Sequence, residues 1–153
     1  KESSYIRLSK GGEPEIYVQE MIDSFIFLLK GTLNSQNIII THGAITKNVL
    51  DIINNSQKDC CLLSITCFDK NVIEKLLQII KTRKIEVNFV VIEENFRIGG
   101  LFEFLSSEMI KMSLFRKIKY KVLPHKYIFE IFDRNNLLEL SGFTKKNIDH
   151  LLI

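Results

Sequence analysis

Several features are missing from this sequence, and each absence narrows its class. No apolar run approaches the ~20 residues that a helix needs to cross a bilayer, so no membrane partner is expected. No basic segment followed by an apolar stretch opens the chain, so no signal peptide is read there. Cysteine is scarce: Cys60, Cys61 and Cys67 are an odd count, and two of them are neighbours. They form no CxxC and no Cys/His spacing of the kind that holds a metal, so buried reduced thiols, no metal site and a cytoplasmic setting are expected. Charge of one sign is not in excess either. Lys and Arg total 21 against 18 Asp and Glu, a net charge of +3 that is scattered along the chain. That is no nucleic-acid footprint, and no nucleic-acid partner is expected.

What is present is the composition of an ordinary globular domain. The chain has 153 residues, enough for one domain with a substantial core. Hydrophobic residues make up 46% and charged residues 25%. The first residue is Lys1 and not Met, directly before the strand-like Ser4-Tyr5-Ile6-Arg7-Leu8, so the sequence reads as a piece of something longer. Gly11-Gly12 and Pro14 then mark a linker.

The stretch from Val87 to Gly100 organises the rest. An apolar, β-branched run ends at Glu93 and Glu94, crosses a polar loop through Asn95, and restarts at Gly99-Gly100 with helical period. A strand apolar on both faces is the mark of a buried parallel strand, and its carboxyl end is where an α/β sheet meets ligands or partners, although the plainer reading of Glu93 and Glu94 is as solvated loop residues. Two more such runs precede it, Ile38–Ile40 and Leu62–Ile65. Between them lie helix-period segments at Thr46–Asn54 and Asn71–Thr82, the second capped by Asp69. A helix over Gly100–Met112 follows, packing through Leu101, Leu105 and Met109. Strands alternating with helices predict a mainly parallel sheet with helices on both faces. The block from Glu15 to Leu29 stays open: Ile16, Met21, Ile22, Phe25 and Leu29 suit a helical stripe, while Phe25–Leu29 equally suits a buried strand.

Near the end, Ile118, Tyr120 and Val122 alternate with Lys117, Lys119 and Lys121. Such a strand is either an edge protected by charge or an anion patch. Pro124 ends it, Asp133 is placed to cap a helix through Leu140 with Gly142 just beyond, and Thr144 to cap a last helix from Lys145 to Leu152.

No nucleophile or metal spacing accompanies His42, so no catalytic residue is assigned. His42 sits at a strand end, where it can bond Glu93 or a neighbouring domain. Gly99 and Gly100 are read first as steric, allowing a helix start to pack on the sheet. Exposed N–H groups there that attract an anion are the second reading.

Three segments now support a family. Thr41-His42-Gly43 before a helix, Val91-Ile92-Glu93-Glu94 with Gly99-Gly100-Leu101 five residues on, and Leu137-Leu138 with Gly142-Phe143 stand in one order that resembles the C-terminal domain of transketolase-type, thiamine-diphosphate-dependent enzymes. Tyr5-Ile6-Arg7-Leu8 is similar to the end of the preceding pyrimidine-binding domain, and residues 13–153 cover the C-terminal-like domain. His42-Gly43 stands where many members carry Gly-Ser, and Ile131-Phe132-Asp133 replaces a Gly-Ser pair.

The resemblance implies a three-layer α/β/α domain with a five-stranded mixed sheet whose first strand, Phe25–Leu29, is antiparallel. It implies part of a two-carbon ketol transferase acting on sugar phosphates, or of a deoxyxylulose-phosphate synthase or 2-oxo-acid dehydrogenase beta subunit. A stand-alone binding module that keeps the fold is the alternative. Thiamine diphosphate and magnesium belong to two other domains, so the chain alone should bind no cofactor and catalyse nothing. Homodimers are implied, with His42, Glu93, Glu94 and Asn95 at a domain or dimer interface, Gly43, Gly99 and Gly100 as structural glycines, and Arg7 near a substrate phosphate.

Overall fold

A computed structural model describes residues 15–82, 87–114, 117–126, 128–129 and 132–153. Arg7, the strand expected at Ser4–Leu8, and the proposed boundary at residues 12 and 13 lie outside these.

Six strands form one sheet: β1 (Glu20–Asp23), β2 (Ile26–Lys30), β3 (Asn37–Thr41), β4 (Cys60–Ile65), β5 (Asn88–Ile92) and β6 (Ile118–Lys121), in the spatial order β1-β2-β4-β3-β5-β6. β3, β4, β5 and β6 run parallel, while β2 pairs antiparallel with both β1 and β4. The three apolar runs are therefore the parallel core strands, as their composition predicts. Their side chains divide between two cores. Ile38, Ile40, Leu63, Phe89 and Val91 face one layer, and Ile39, Leu62, Val90 and Ile92 the other. Burial on both sides is the reason these strands carry no polar alternation. Each fully buried Ile or Leu side chain contributes about 1.5–3 kcal/mol relative to exposure.

The first layer holds α2 (Lys70–Lys81) and α3 (Leu101–Lys111). The second holds α1 (Ile45–Asn54), α4 (Arg134–Leu140) and α5 (Lys145–Asp149). Asp69, Asp133 and Thr144 cap α2, α4 and α5, accepting the N–H of Asn71 at 2.8 Å, Asn136 at 3.0 Å and Asn147 at 3.3 Å. These three ends are the ones the sequence marks.

The sheet has six strands where five are expected. The extra one comes from the open block: Glu20–Asp23 folds back on Ile26–Lys30 as a hairpin through Ser24 and Phe25. Its apolar residues mimic a helical stripe, but Met21 is 64% exposed, and what joins the two strands is a backbone ladder.

The connections create one crevice. α1 carries the chain from β3 to its neighbour β4 across one face, and α2 carries it back past β3 to β5 across the other. α3 then continues outward to β6. The adjacent strands β3 and β5 thus send their chains to opposite faces, which opens a gap at their carboxyl ends.

Candidate functional site

His42 and Glu93 meet in that gap. Each directly follows the last residue of its strand, and Thr41 and Ile92 are register partners in the β3–β5 ladder. Parallel pairing therefore delivers both side chains to one place, although 50 residues separate them.

Glu93 is fully buried and no solvated loop residue, because its carboxylate is already engaged by the protein. One oxygen accepts the N–H of Leu101 at 2.7 Å, and the other accepts that of Phe102 at 2.8 Å. These are the first residues of α3, whose N-cap, Gly100, has no side chain to cap with. Glu93 supplies the cap from the neighbouring strand end, where the helix dipole favours an anion. The anion-binding reading of this helix start is thereby resolved: the anion is the protein's own. Gly100 permits it, because a Cβ there would lie 2.5 and 2.7 Å from the two carboxylate oxygens. Gly99 serves differently. Its φ of 81° suits glycine, and its N–H bonds Glu103 Oε2 at 2.7 Å.

His42 Nε2 lies 3.5 Å from Glu93 Oε2 and has no hydrogen-bond partner of good geometry. The contact is longer than the two backbone bonds and is an ion pair only with a protonated imidazole. Burial pushes the Glu93 carboxyl up, but His42 and the N–H groups of Phe102 and Leu101 outweigh it and hold the group below its ordinary value. Phe68, just after β4, sets its ring edge-on to His42 with centroids 4.4 Å apart. His42, Gly43, Ile65, Thr66 and Phe68 line an open cleft of about 360 Å³.

Glu94 and Asn95 turn away from this pair. Glu94 forms an ion pair with Arg134 at the start of α4, and the Asn95 carbonyl accepts the N–H of Leu123 at 2.8 Å. Gly43 takes a φ of 67° in the turn into α1. Arg7 lies outside the described residues. Phe68 and Arg134 are missing from the sequence reading. An aromatic within three residues of a strand's end is a signal that could have found Phe68, whereas nothing local links Arg134 to Glu94.

The arrangement positions groups and offers little chemistry. A carboxylate holding two N–H donors is poorly placed to take a proton. The Cys60 thiol, buried in the core, is pushed up to about 11 and stays protonated. Among the described residues no group of three His, Cys, Asp or Glu side chains gathers as a metal site. No described helix is long and apolar enough to cross a membrane.

No family model matches the sequence, and no curated protein does. Solved structures share its fold. A split-gene transketolase described as an inactive beta4 tetramer superposes with a TM-score of 0.61 at 16% identity, over 92% of this chain and 45% of that one. Transketolase from Campylobacter jejuni gives a TM-score of 0.50 at 16% identity, over 90% of this chain and 19% of that one. The chain thus has the fold of one part of a transketolase chain, and it spans less than half the length of either.

Proposed function

We propose that this chain is the C-terminal domain of a transketolase-like, thiamine-diphosphate-dependent enzyme, and that it contributes domain and dimer contacts without catalysing alone. The observation that carries the reading is the strand-end site. It is built around a buried carboxylate spent on holding a helix, flanked by exposed aromatic surface at Phe68, the organisation of a docking face more than of a reaction centre. The fold shared with transketolase chains, and the order of the segments around His42, Glu93 and Gly142, support the same reading.

In the intact enzyme, thiamine diphosphate and magnesium are held by domains outside this sequence, in a cytoplasmic homodimer transferring two-carbon ketol units between sugar phosphates. His42 and the Glu93–Asn95 turn lie toward those domains. Arg7 approaches the substrate phosphate, where a guanidinium can bind two oxygens at once.

Calorimetric titration of the chain with thiamine diphosphate and magnesium tests the reading, alongside the product of the same reading frame extended upstream. The extended protein should bind the cofactor and transfer ketol units, and the 153-residue chain should show no heat of binding. Micromolar binding by the chain alone would overturn the assignment.

A further inference from the structure

The amino end of the sheet carries a polar row beneath the second helical layer. Cys60, Asn37 and Asn88 open β4, β3 and β5, and Asn37 is the register partner of both others. Alternation along each strand puts Asn37 on the face of Ile39, Cys60 on that of Leu62 and Asn88 on that of Val90, all in the second core. Residues 145–153 lie across this row. Asn37 holds Ile153 by both backbone groups: Oδ1 accepts the N–H at 2.9 Å, and Nδ2 donates to the carbonyl at 3.1 Å. Asn88 Nδ2 and Lys119 Nζ both donate to the Leu151 carbonyl at 2.7 Å. Lys145 Nζ donates to the Asn55 carbonyl at 2.9 Å, Ser56 Oγ to Asp149 Oδ1 at 3.2 Å and Asn147 Nδ2 to the Gly142 carbonyl at 3.1 Å.

This attachment differs in kind from that of the sheet. Among the described residues, the backbone–backbone hydrogen bonds of the segment stay within residues 144–153. α5 has five residues, too few to form a helix without its contacts. Ile148 and Leu152 are buried and Leu151 is half-buried; the other tethers are side-chain bonds. β3 and β5, by contrast, pair on both sides and are buried on both faces. A unit with few buried apolar contacts opens at lower free energy than the core it covers. The seat is ready without it, since Asn88 Nδ2 also donates to Asn37 Oδ1 at 2.8 Å. The Cys60 thiol lies beneath. It is 3% exposed, and burial pushes it up while Asp149, the last residue of α5, adds to the rise. Cys61, the next residue, points into the other core, under α2 and α3.

We propose that residues 145–153 are a strap that leaves the Asn37–Asn88 seat as one unit while the sheet stays folded, and that its release uncovers Cys60. The seat bonds only backbone groups of Leu151 and Ile153. Release therefore breaks side-chain hydrogen bonds and exposes Ile148 and Leu152, but it costs no strand pairing. The thiol on the second face is then reached through the strap, and its neighbour on the first face only through global unfolding. The three cysteines report three levels of opening: Cys67, already half-buried, none; Cys60, strap release; Cys61, unfolding of the sheet.

The test labels the full chain with iodoacetamide, which alkylates thiolate sulfur with loss of iodide. Initial rates are read, and fragment-ion mass spectrometry separates the neighbours Cys60 and Cys61. Cys67 should react first. Cys60 should follow at least about tenfold faster than Cys61, and urea below the unfolding transition should speed Cys61 far more than Cys60. Asn88→Ala removes one of the two donors to the Leu151 carbonyl and should speed Cys60 about tenfold or more. Lys119→Met removes the other donor, should do the same, and serves if Asn88→Ala does not fold. Gly100→Ala, crowded by Glu93 on the far side of the sheet, should speed Cys61 and leave Cys60 unchanged. Equal rates or equal urea dependence for Cys60 and Cys61 would overturn the proposal. So would a Cys60 that ignores both Asn88→Ala and Lys119→Met, or one that responds to Gly100→Ala.

Discussion

Glu93 and Gly100 form a unit in which each explains the other. The carboxylate reaches the first N–H groups of α3 only because residue 100 has no Cβ. Gly100→Ala should therefore destabilise the fold by roughly 1–3 kcal/mol through overpacking, read as a lower urea midpoint. In Glu93→Ala the same Gly100→Ala change should cost much less, because the clashing oxygens are gone. Gly99→Ala meets no neighbour and should cost only the ~1–2 kcal/mol of a left-handed alanine, whether or not Glu93 is present. Glu93→Gln keeps the shape but leaves one acceptor for two donors, a loss of roughly 1.5–3 kcal/mol at about pH 7. The folded carboxyl lies below its unfolded value, near 4.5, so the stabilisation is complete above that pH and is lost as pH falls through the lower folded value. Denaturation curves of wild type and Glu93→Gln should converge as pH falls from 4.5 through the lower folded value. A stability gap constant with pH would rule out this account. The sequence shows an acidic pair and a glycine pair, and so marks the site. It does not show which Glu turns inward, because that depends on the parity of β5: Ile92 faces the core, and the backbone turns immediately after it.

The secondary elements were legible where an apolar period had a single reading. α2 and α3 carry one wet face, and Asp69, Asp133 and Thr144 cap the helices they precede. The hairpin of β1 and β2 was not legible, because short apolar runs fit either period and strand pairing is a non-local choice. The lysine alternation of β6 does mark an edge strand, one of its two readings, and two of the lysines have a further part. Lys119 Nζ donates to the Leu151 carbonyl and Lys121 Nζ to that of Ser141, both at 2.7 Å. Neither lysine is left free for an anion. They bond carbonyls at the ends of α4 and α5, where helix dipoles favour cations. Burial pushes the Lys121 ammonium down from its ordinary value. A second clasp joins the far ends of the strands to the chain's close: Asn88 Nδ2 donates to Asn37 Oδ1 at 2.8 Å and to Leu151 O at 2.7 Å, and Asn37 Oδ1 accepts the Ile153 N–H at 2.9 Å. Asn88→Ala should cost roughly 1–3 kcal/mol and leave the Leu151 carbonyl with Lys119 alone. Hydrogen exchange should then quicken across α5 well before the core strands, since this clasp holds the second helical layer and not the sheet. Uniform acceleration across β3 and β5 would place the clasp inside the main folding unit.

At the scale of the whole molecule, the carboxyl end of the sheet gathers exposed aromatic rings among the described residues. Phe25 at the hairpin turn is 44% exposed, Phe68 beside His42 is 42% exposed, and Phe96 after β5 is 46% exposed. All three follow from topology: the β1–β2 turn lies at this end because β2 runs antiparallel to β4, and the Thr66 N–H bonds the Phe25 carbonyl at 3.1 Å. Scattered exposed apolar residues are ordinary, but aromatics gathered at one end of a sheet favour contact with another surface. On the proposed reading, other domains of the enzyme cover this face, and in the isolated chain a second copy is the available substitute. A twofold contact uses the same patch on both copies, so each Phe68 needs no partner of different chemistry. A patch of three half-exposed rings is small beside the ~1,200 Å² of a stable interface, and the association should be weak. Sedimentation equilibrium should show a concentration-dependent shift from monomer toward dimer in the range of about 10 µM to 1 mM. Phe68→Ser, which removes an exposed ring without opening the core, should weaken that association several-fold and leave the melting temperature of the monomer nearly unchanged. A chain that stays monomeric throughout, or a dimer indifferent to Phe68→Ser, would remove the strand-end face from the contact.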